Sequence, residues 1–459
     1  MLEFETICAL ATPSGESAIA VIRLSGNRAF EIASKVFVSK MKGKTIENSP
    51  THCAIFGQII SNGKLIDECV CTIFRSPHSY TGEDSVEFSI HGSSFIAQKV
   101  IVALLENGAS LANRGEFTKR AFLNGKLDLA QAEAVCDLIQ SHNEASHTLA
   151  LKQLRGGYGD ILYSLRQKLV DISSLLELEL DFSDQDVEFA DRTALITMLN
   201  DIKTRANELV NSFQMGSCFK NGIPVTIVGK PNSGKSTLLN VFLKEERAIV
   251  SDEEGTTRDT IEEKLNLRGL EFRFIDTAGI RESSNKIEKA GIERTFTAIE
   301  KSKIILFIVD VNKSTPKEAK QEIEDLKQRI DFTDKHLIII ANKIDIQKHK
   351  EKGWKEMNAI EISAKTKQNI GEIVEKMFEL FDINELNDKI FVSNWRHFEA
   401  LKLLLEGINS TEQGIKNNLP SDLIASDIRT CLHHLGEITG EVSTEEILGN
   451  IFSKFCIGK

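Results

Sequence analysis

Short runs rich in apolar and β-branched residues punctuate the first quarter of the chain. Ala18–Leu24, Cys69–Phe74 and Ser85–Ile90 read as strands, and Phe95–Glu106 reads as a helix. Ser25-Gly26-Asn27 and Ser61-Asn62-Gly63 supply turn chemistry between such runs. Residues 1–124 are therefore expected to form an α+β domain. From 125 to 218 apolar positions take helical spacing, as in Leu162, Leu165, Leu169, Ile172 and Leu176, and proline is scarce. The acidic stretch from Glu177 to Glu188 marks a helix end or a loop. Over 219–384 the strand-like runs Pro224–Val228, Phe272–Ile275, Ile304–Asp310, Leu337–Ala341 and Ala359–Ile362 alternate with helical stretches. That alternation predicts an α/β unit with a parallel-rich sheet and helices on both faces. Helices return over 385–459, where Ser443-Thr444-Glu445-Glu446 has the form of a capping box. Helical segments on both sides of an α/β unit imply that the unit is inserted into one helical domain.

Composition narrows the class. A chain of 459 residues, 41% apolar and 27% charged, suits a soluble protein of several domains. Apolar runs such as Ile304–Val309 and Leu337–Ala341 fall far short of the roughly 20 residues a membrane span needs, so no membrane association is expected. Glu3 and Glu5 replace the basic start of a signal peptide. Eight cysteines without a CxxC pair suit reduced thiols in the cytoplasm. The formal charge of −11 argues against a protein that coats nucleic acid, so any RNA contact uses a local patch or a partner.

The chemistry concentrates in the third segment. Gly229-Lys230-Pro231-Asn232-Ser233-Gly234-Lys235-Ser236 matches the P-loop pattern, follows a predicted strand and precedes a helix beginning at Ser236 and Thr237. Its backbone N–H groups suit phosphate oxygens, Lys235 adds a point charge, and the Ser236 hydroxyl suits Mg²⁺. Asp276-Thr277-Ala278-Gly279 follows a strand, so Asp276 can reach the Mg²⁺ shell and the Gly279 N–H can sense the γ-phosphate. Asn342-Lys343-Ile344-Asp345 ends another strand. The Asp345 carboxylate can accept both guanine N1–H and the guanine amino group, and adenine would leave it unpaired. Ser363-Ala364-Lys365 would back the base. Between these elements Thr257, in Gly255-Thr256-Thr257-Arg258-Asp259, is the natural second Mg²⁺ hydroxyl. GTP is thus expected over ATP. Ile280 stands where Ras-type GTPases carry a water-orienting Gln. Another group must do that work, and Arg281, Glu282, Glu288 and Glu293 all remain candidates on chemistry alone.

The whole chain resembles the MnmE (TrmE) family of tRNA-modification GTPases. The resemblance rests on Ile7-Cys8-Ala9-Leu10-Ala11-Thr12-Pro13, Val21-Ile22-Arg23-Leu24-Ser25-Gly26, Tyr80-Thr81-Gly82-Glu83-Asp84, and Arg114-Gly115-Glu116-Phe117-Thr118. It continues through Arg120 to Leu129 and ends on Cys456-Ile457-Gly458-Lys459. The resemblance implies a homodimer formed through the amino-terminal domain, which binds a formyl-tetrahydrofolate (5-formyl-tetrahydrofolate or a related folate) through Arg23, Glu87, Lys126 and Lys459. It implies a flavin-dependent partner of the MnmG type, and aminomethyl or carboxymethylaminomethyl transfer to the wobble uridine of certain tRNAs. It further implies K⁺-stimulated hydrolysis, with Asn232, Ser251, Glu253 and Thr256 around the K⁺, and Glu288 as the group that orients the catalytic water. Cys456 is either a reactive thiol or a packing residue beside the folate.

Two other readings compete. A ribosome-assembly GTPase, acting as an RNA-binding switch, would share the nucleotide motifs but carry an RNA-binding module with a GXXG clamp after the nucleotide domain. A regulatory switch would bind GTP with negligible hydrolysis.

Overall fold

The amino-terminal strands assemble into one largely antiparallel sheet. They are β1 (Ile7–Leu10), β2 (Ser17–Ser25), β3 (Phe37–Ser39), β4 (Cys53–Ser61), β5 (Lys64–Phe74), β6 (Ser85–Gly92) and β7 (Ser110–Leu111). These come from a computed structural model that describes residues 5–181, 192–245, 262–275, 288–347 and 353–459. The spatial order is β3-β4-β5-β6-β2-β1-β7, and β1 and β7 are the parallel pair. Asn62 and Gly63, at φ +52° and +73°, make the tight turn between β4 and β5, as their left-handed tolerance allows. The helices Ala29–Val36 and Ser94–Glu106 pack on this sheet over Ile22, Leu24, Ile55, Ile73 and Phe88, all fully buried. Pairing of β2 with β6 puts Arg23 directly opposite Glu87.

The second sheet contains β8 (Ile223–Val228), β9 (Glu263–Leu267), β10 (Leu270–Phe274), β11 (Ile304–Asp310), β12 (His336–Asn342) and β13 (Ile360–Ile362). Its order is β13-β12-β11-β8-β10-β9. Every pair is parallel except β9 with β10. Every residue of β8 and β11 is buried, which explains their near-continuous apolar sequences. The chain builds β10 on one side of β8 and β11 on the other. The loops leaving the carboxyl ends of β8 and β11 therefore diverge, and in such sheets ligands bind in that crevice.

Long helices account for most of the rest. Gly157–Asp181 buries Leu162, Leu165, Leu169, Ile172 and Leu176 and packs against Ser421–Thr439, which buries Ile424, Ile428, Cys431, Leu435 and Ile438. Helical segments from either side of the α/β unit thus meet, as expected for an insertion. Among the described residues beyond 384 there are helices and no named strand, so the clamp module of a ribosome-assembly GTPase has no counterpart there. The last helix, Glu445–Phe452, corrects the capping-box reading: Thr444 is its N-cap and accepts from the Ile447 N–H. Ile447 occupies the position where a box requires Glu or Gln, so the reciprocal bond cannot form.

Contacts divide the chain into two compact units. One comprises Met1–Ile139, Gln153–Leu199 and Glu406–Lys459, and the other Gln140–Lys152 and Asn200–Leu405. The first holds the amino-terminal sheet and the packed pair Gly157–Asp181 and Ser421–Thr439, and the second holds the parallel sheet. No helix among the described residues is long and apolar enough to cross a membrane.

Candidate functional sites

In the second unit, β8 ends at Val228 and the chain turns through Gly229–Gly234 into the helix Lys235–Glu245. Gly234 adopts φ +109°, and a Cβ there would collide with Asn342 Nδ2, so the loop closes on Asn342 only with glycine at 234. Lys235 Nζ donates to the Gly229 carbonyl at 2.7 Å and to the Lys230 carbonyl at 3.0 Å. Burial lowers its pKa below the ordinary 10.5. A half-desolvated ammonium held by neutral carbonyls is a ready counter-charge for an anion. Ser236 and Thr237 lie exposed on the first turn of the helix.

Asn342 is the centre of the arrangement. At the carboxyl end of β12 it is 2% exposed, and its side chain spans two loops. Its Nδ2 donates to the Ser233 carbonyl at 2.8 Å, and its Oδ1 accepts the Ala364 N–H at 3.0 Å. The next residue, Lys343, donates from Nζ to the Asn232 carbonyl at 2.7 Å and to Asp310 Oδ2 at 2.8 Å. Burial raises the Asp310 pKa, but hydrogen bonds from Lys343 and Asn312 outweigh it and hold the carboxyl below its ordinary range. The exposed Asp345 accepts from Ser363 Oγ at 2.7 Å, and that hydroxyl accepts the Thr366 N–H at 3.2 Å. Lys365 is exposed beside them.

The structure therefore brings together Asn232, Ser233, Gly234, Lys235, Asn342, Lys343 and Ala364, with Asp345 and Ser363 joined to each other. Ser251, Glu253, Thr256, Thr257, Asp276, Thr277, Ala278 and Gly279 lie outside the described residues, as do Ile280, Arg281 and Glu282. Glu288 opens the helix Glu288–Lys301, and its side chain and that of Glu293 lie outside the description too. Asp310 was missed in the sequence. Its signal was a lone carboxylate ending the apolar run of β11.

The first unit holds a separate charged cluster. Arg23 Nε donates to Glu87 Oε1 at 2.8 Å. The guanidinium lies 5.2 Å from the Tyr80 ring centroid and 5.4 Å from that of Phe117, within cation–π range of both. Its Nη1 donates to the Gly458 carbonyl at 3.5 Å. The tail reaches this position by backbone contacts: a bridge between Arg114 and Ile457, and a 3.4 Å bond from the Gly115 N–H to the Cys456 carbonyl. Gly458 takes φ +95°, and a Cβ there would collide with the Leu10 carbonyl. Burial lowers the pKa of Lys459 and the nearby Arg23 lowers it further, while Glu87 opposes both. Two cations thus share one carboxylate, which suits an anionic ligand. Lys126 is exposed, and its Nζ donates to the Pro77 carbonyl at 3.0 Å rather than joining this trio. Cys456 is an exposed thiol. Tyr80 and Phe117 were not foreseen, because aromatic flanking of a guanidinium depends on folding and leaves no local pattern.

The first unit also holds an ion triad around a buried arginine. Arg120, 3% exposed in its side chain, pairs with Glu83 at 3.3 Å and Glu116 at 2.7 Å. Glu83 also accepts from Ser25 Oγ at 2.8 Å, and Ser25 and Thr81 share a buried 2.7 Å hydroxyl contact.

A parallel sheet with a P-loop after β8, an Asn-Lys-x-Asp turn after β12 and a braced loop after β13 defines a P-loop protein of the GTPase class. Residues 129–456 match the family described as MnmE helical domain, and residues 6–126 match GTP-binding protein TrmE N-terminus. The chain belongs to the MnmE (TrmE) family. It is 48% identical to the tRNA modification GTPase MnmE of Flavobacterium johnsoniae over the full length of both chains. Identity is 46% to that of Christiangramia forsetii, over 99% of each chain, and 44% to that of Bacteroides fragilis, again over 99% of each.

Proposed function

We propose that this chain hydrolyses GTP as part of the modification of wobble uridine in certain tRNAs. The observation that supports the nucleotide half best is the Asn342 side chain, which ties the P-loop carbonyl of Ser233 to the Ala364 N–H. That brace sets the phosphate-binding loop and the base-binding loops in one register. In this reading Asn232 to Thr237 hold the phosphates, with Lys235 turning its ammonium from the loop carbonyls to the β- and γ-oxygens. Asp345 accepts two hydrogen bonds from guanine, steadied by Ser363. Ser251, Thr256, Thr257, Asp276, Thr277, Ala278 and Gly279 would contact the nucleotide, with the Gly279 N–H sensing the γ-phosphate, and Lys343 and Lys365 would lie at the base. Ser236 and Thr257 would hold Mg²⁺, and Asn232, Ser251, Glu253 and Thr256 would hold K⁺; both cations would offset negative charge on the phosphate oxygens. Glu288 orients the attacking water, the task that Ile280 cannot perform.

The amino-terminal cluster is proposed as the folate site. A folate presents carboxylates that suit Arg23 and Lys459 and a pterin edge with donors that suit Glu87. Lys126 joins by swinging from the Pro77 carbonyl. The folate would supply a one-carbon unit for the uridine. The working assembly is a cytoplasmic homodimer that acts with an MnmG-type flavin protein on tRNA.

The decisive experiment has two arms. Multiple-turnover GTP hydrolysis by the purified full-length chain is expected in KCl and not in NaCl, and equal rates in both would remove the K⁺ role. Nucleosides from tRNA of cells lacking the chain are expected to show unmodified wobble uridine by mass spectrometry, and an unchanged profile would remove the tRNA role.

A further inference from the structure

We infer that the first unit carries a second ligand site, for an apolar monocarboxylate, in the cleft between the helices Glu116–Leu123 and Glu445–Phe452. The cleft is half open and offers about 470 Å³, within the size range of small-molecule sites. Its floor is apolar: Leu448 and Phe452 are buried, and Leu123 is 42% exposed into it. Its rim is cationic. Arg114 and Lys119 line it, and among the described residues neither has a carboxylate partner. The one carboxylate at the rim, Glu116, is committed to Arg120 at 2.7 Å and to the Asn113 N–H at 2.8 Å. Glu83 completes the Arg120 pairing from below. The local acids are therefore spent on the buried arginine, and the two outer cations are left to a ligand.

An apolar floor beside two unpaired cations selects for a molecule with both characters. A neutral apolar ligand would leave Arg114 and Lys119 unused. A bare inorganic anion would leave Leu123, Leu448 and Phe452 uncovered. A carboxylate head on an apolar body satisfies both, with the head toward the cations and the body over the floor. The site is distinct from the Arg23 cluster and does not depend on the folate reading. It abuts the tail, however, because Arg114 is bridged to Ile457 and the Gly115 N–H bonds to the Cys456 carbonyl.

Gly449 provides a clean probe. It is exposed on the cleft wall, and a Cβ built there meets nothing within 4 Å, so a large side chain fills the cleft without disturbing the fold. The test uses the full-length protein and the fluorescent apolar anion 8-anilinonaphthalene-1-sulfonate. The wild type is expected to bind a saturable equivalent of dye that decanoate displaces, and that decanol or inorganic phosphate at equal concentration does not. Gly449→Trp is expected to lose that equivalent. The double variant Arg114→Gln with Lys119→Gln is expected to weaken it at least tenfold, the effect of removing charge-assisted contacts. Leu123→Glu, at an exposed position, puts a repelling carboxylate into the same space and is expected to match Gly449→Trp. Circular dichroism checks each fold. Absence of the dye equivalent in the wild type would overturn the inference. So would undiminished binding in either cleft-blocking variant, or displacement by decanol or phosphate as effective as by decanoate.

Discussion

Replacing Asn342 by Ala tests whether one side chain holds the phosphate loop and the base loop together. The substitution deletes two hydrogen bonds, from Nδ2 to the Ser233 carbonyl at 2.8 Å and from the Ala364 N–H to Oδ1 at 3.0 Å. Both are buried, so each orphaned backbone group costs roughly 1–3 kcal/mol where water cannot reach it. Water will enter part of the space that the side chain vacates and recover some of that penalty. A local destabilisation of about 3 kcal/mol is the working figure, which lowers hydrogen-exchange protection about a hundredfold. The assay is amide exchange of the full-length chain, read at Ala364 and through the P-loop, with exchange in β4 and β5 as the internal reference. Asn342→Asp is the informative companion. It keeps an acceptor for Ala364 but sets a carboxylate oxygen against the Ser233 carbonyl, so the P-loop should loosen while Ala364 stays protected. GTP affinity should fall in both variants. Wild-type exchange at Ala364 and across the P-loop in the Ala variant would refute the idea that Asn342 couples the two loops.

Asp345→Asn removes a charged acceptor for guanine, worth roughly 1.5–3 kcal/mol per bond, so GTP affinity should drop by about two to four orders of magnitude while xanthosine triphosphate gains in competition. Lys235 has a pKa lowered by burial, and bound phosphates should raise it again; nucleotide binding on the alkaline side, up to about 10.5, should therefore take up a proton. Calorimetry in two buffers of different ionisation enthalpy measures that uptake, and proton release would contradict the sign. Gly458→Ala should displace the tail from the Leu10 carbonyl and weaken binding of 5-formyl-tetrahydrofolate at least tenfold without changing basal GTP hydrolysis. Arg120→Met leaves Glu83 and Glu116 as unpaired, part-buried carboxylates and should cost about 3–5 kcal/mol, seen as a lowered midpoint of thermal unfolding.

Much of this architecture was legible beforehand because its signals are local. The fully buried β8 and β11 wrote themselves as apolar runs, and the P-loop pattern sat between a strand and a helix. Leu162 to Leu176 kept helical spacing because one face of that helix packs continuously. What escaped was mostly non-local or short, but the nine-residue β4 escaped as well, its run broken by Gly57 and Gln58. β1, β3, β7 and the edge strand β9 gain their strand character from neighbours rather than from long periodic runs. The bracing role of Asn342 and the pairing of Lys343 with Asp310 join residues from different loops, so no spacing rule announces them. The capping box failed for a narrower reason: the helix begins one residue later than the Ser443 to Glu446 pattern suggests. The family resemblance places Lys126 at the folate, and its ammonium here rests on the Pro77 carbonyl.

The pairing of Gly157–Asp181 with Ser421–Thr439 has a consequence for biosynthesis. Glu179 and Ser421, which hydrogen-bond across that pair, are 242 residues apart. At ribosomal speeds of about 5–20 residues per second, the first helix waits roughly 10–50 s for its partner to be made. During that interval Leu162, Leu165, Leu169, Ile172 and Leu176 lack the surface that will bury them, while the whole nucleotide-binding sheet emerges and can fold. The helical pair is thus completed after the strands of the nucleotide-binding sheet. A nascent chain stalled between residues 363 and 420 would present the apolar stripe from Leu162 to Leu176 to chaperones after every strand of the nucleotide-binding sheet has been made.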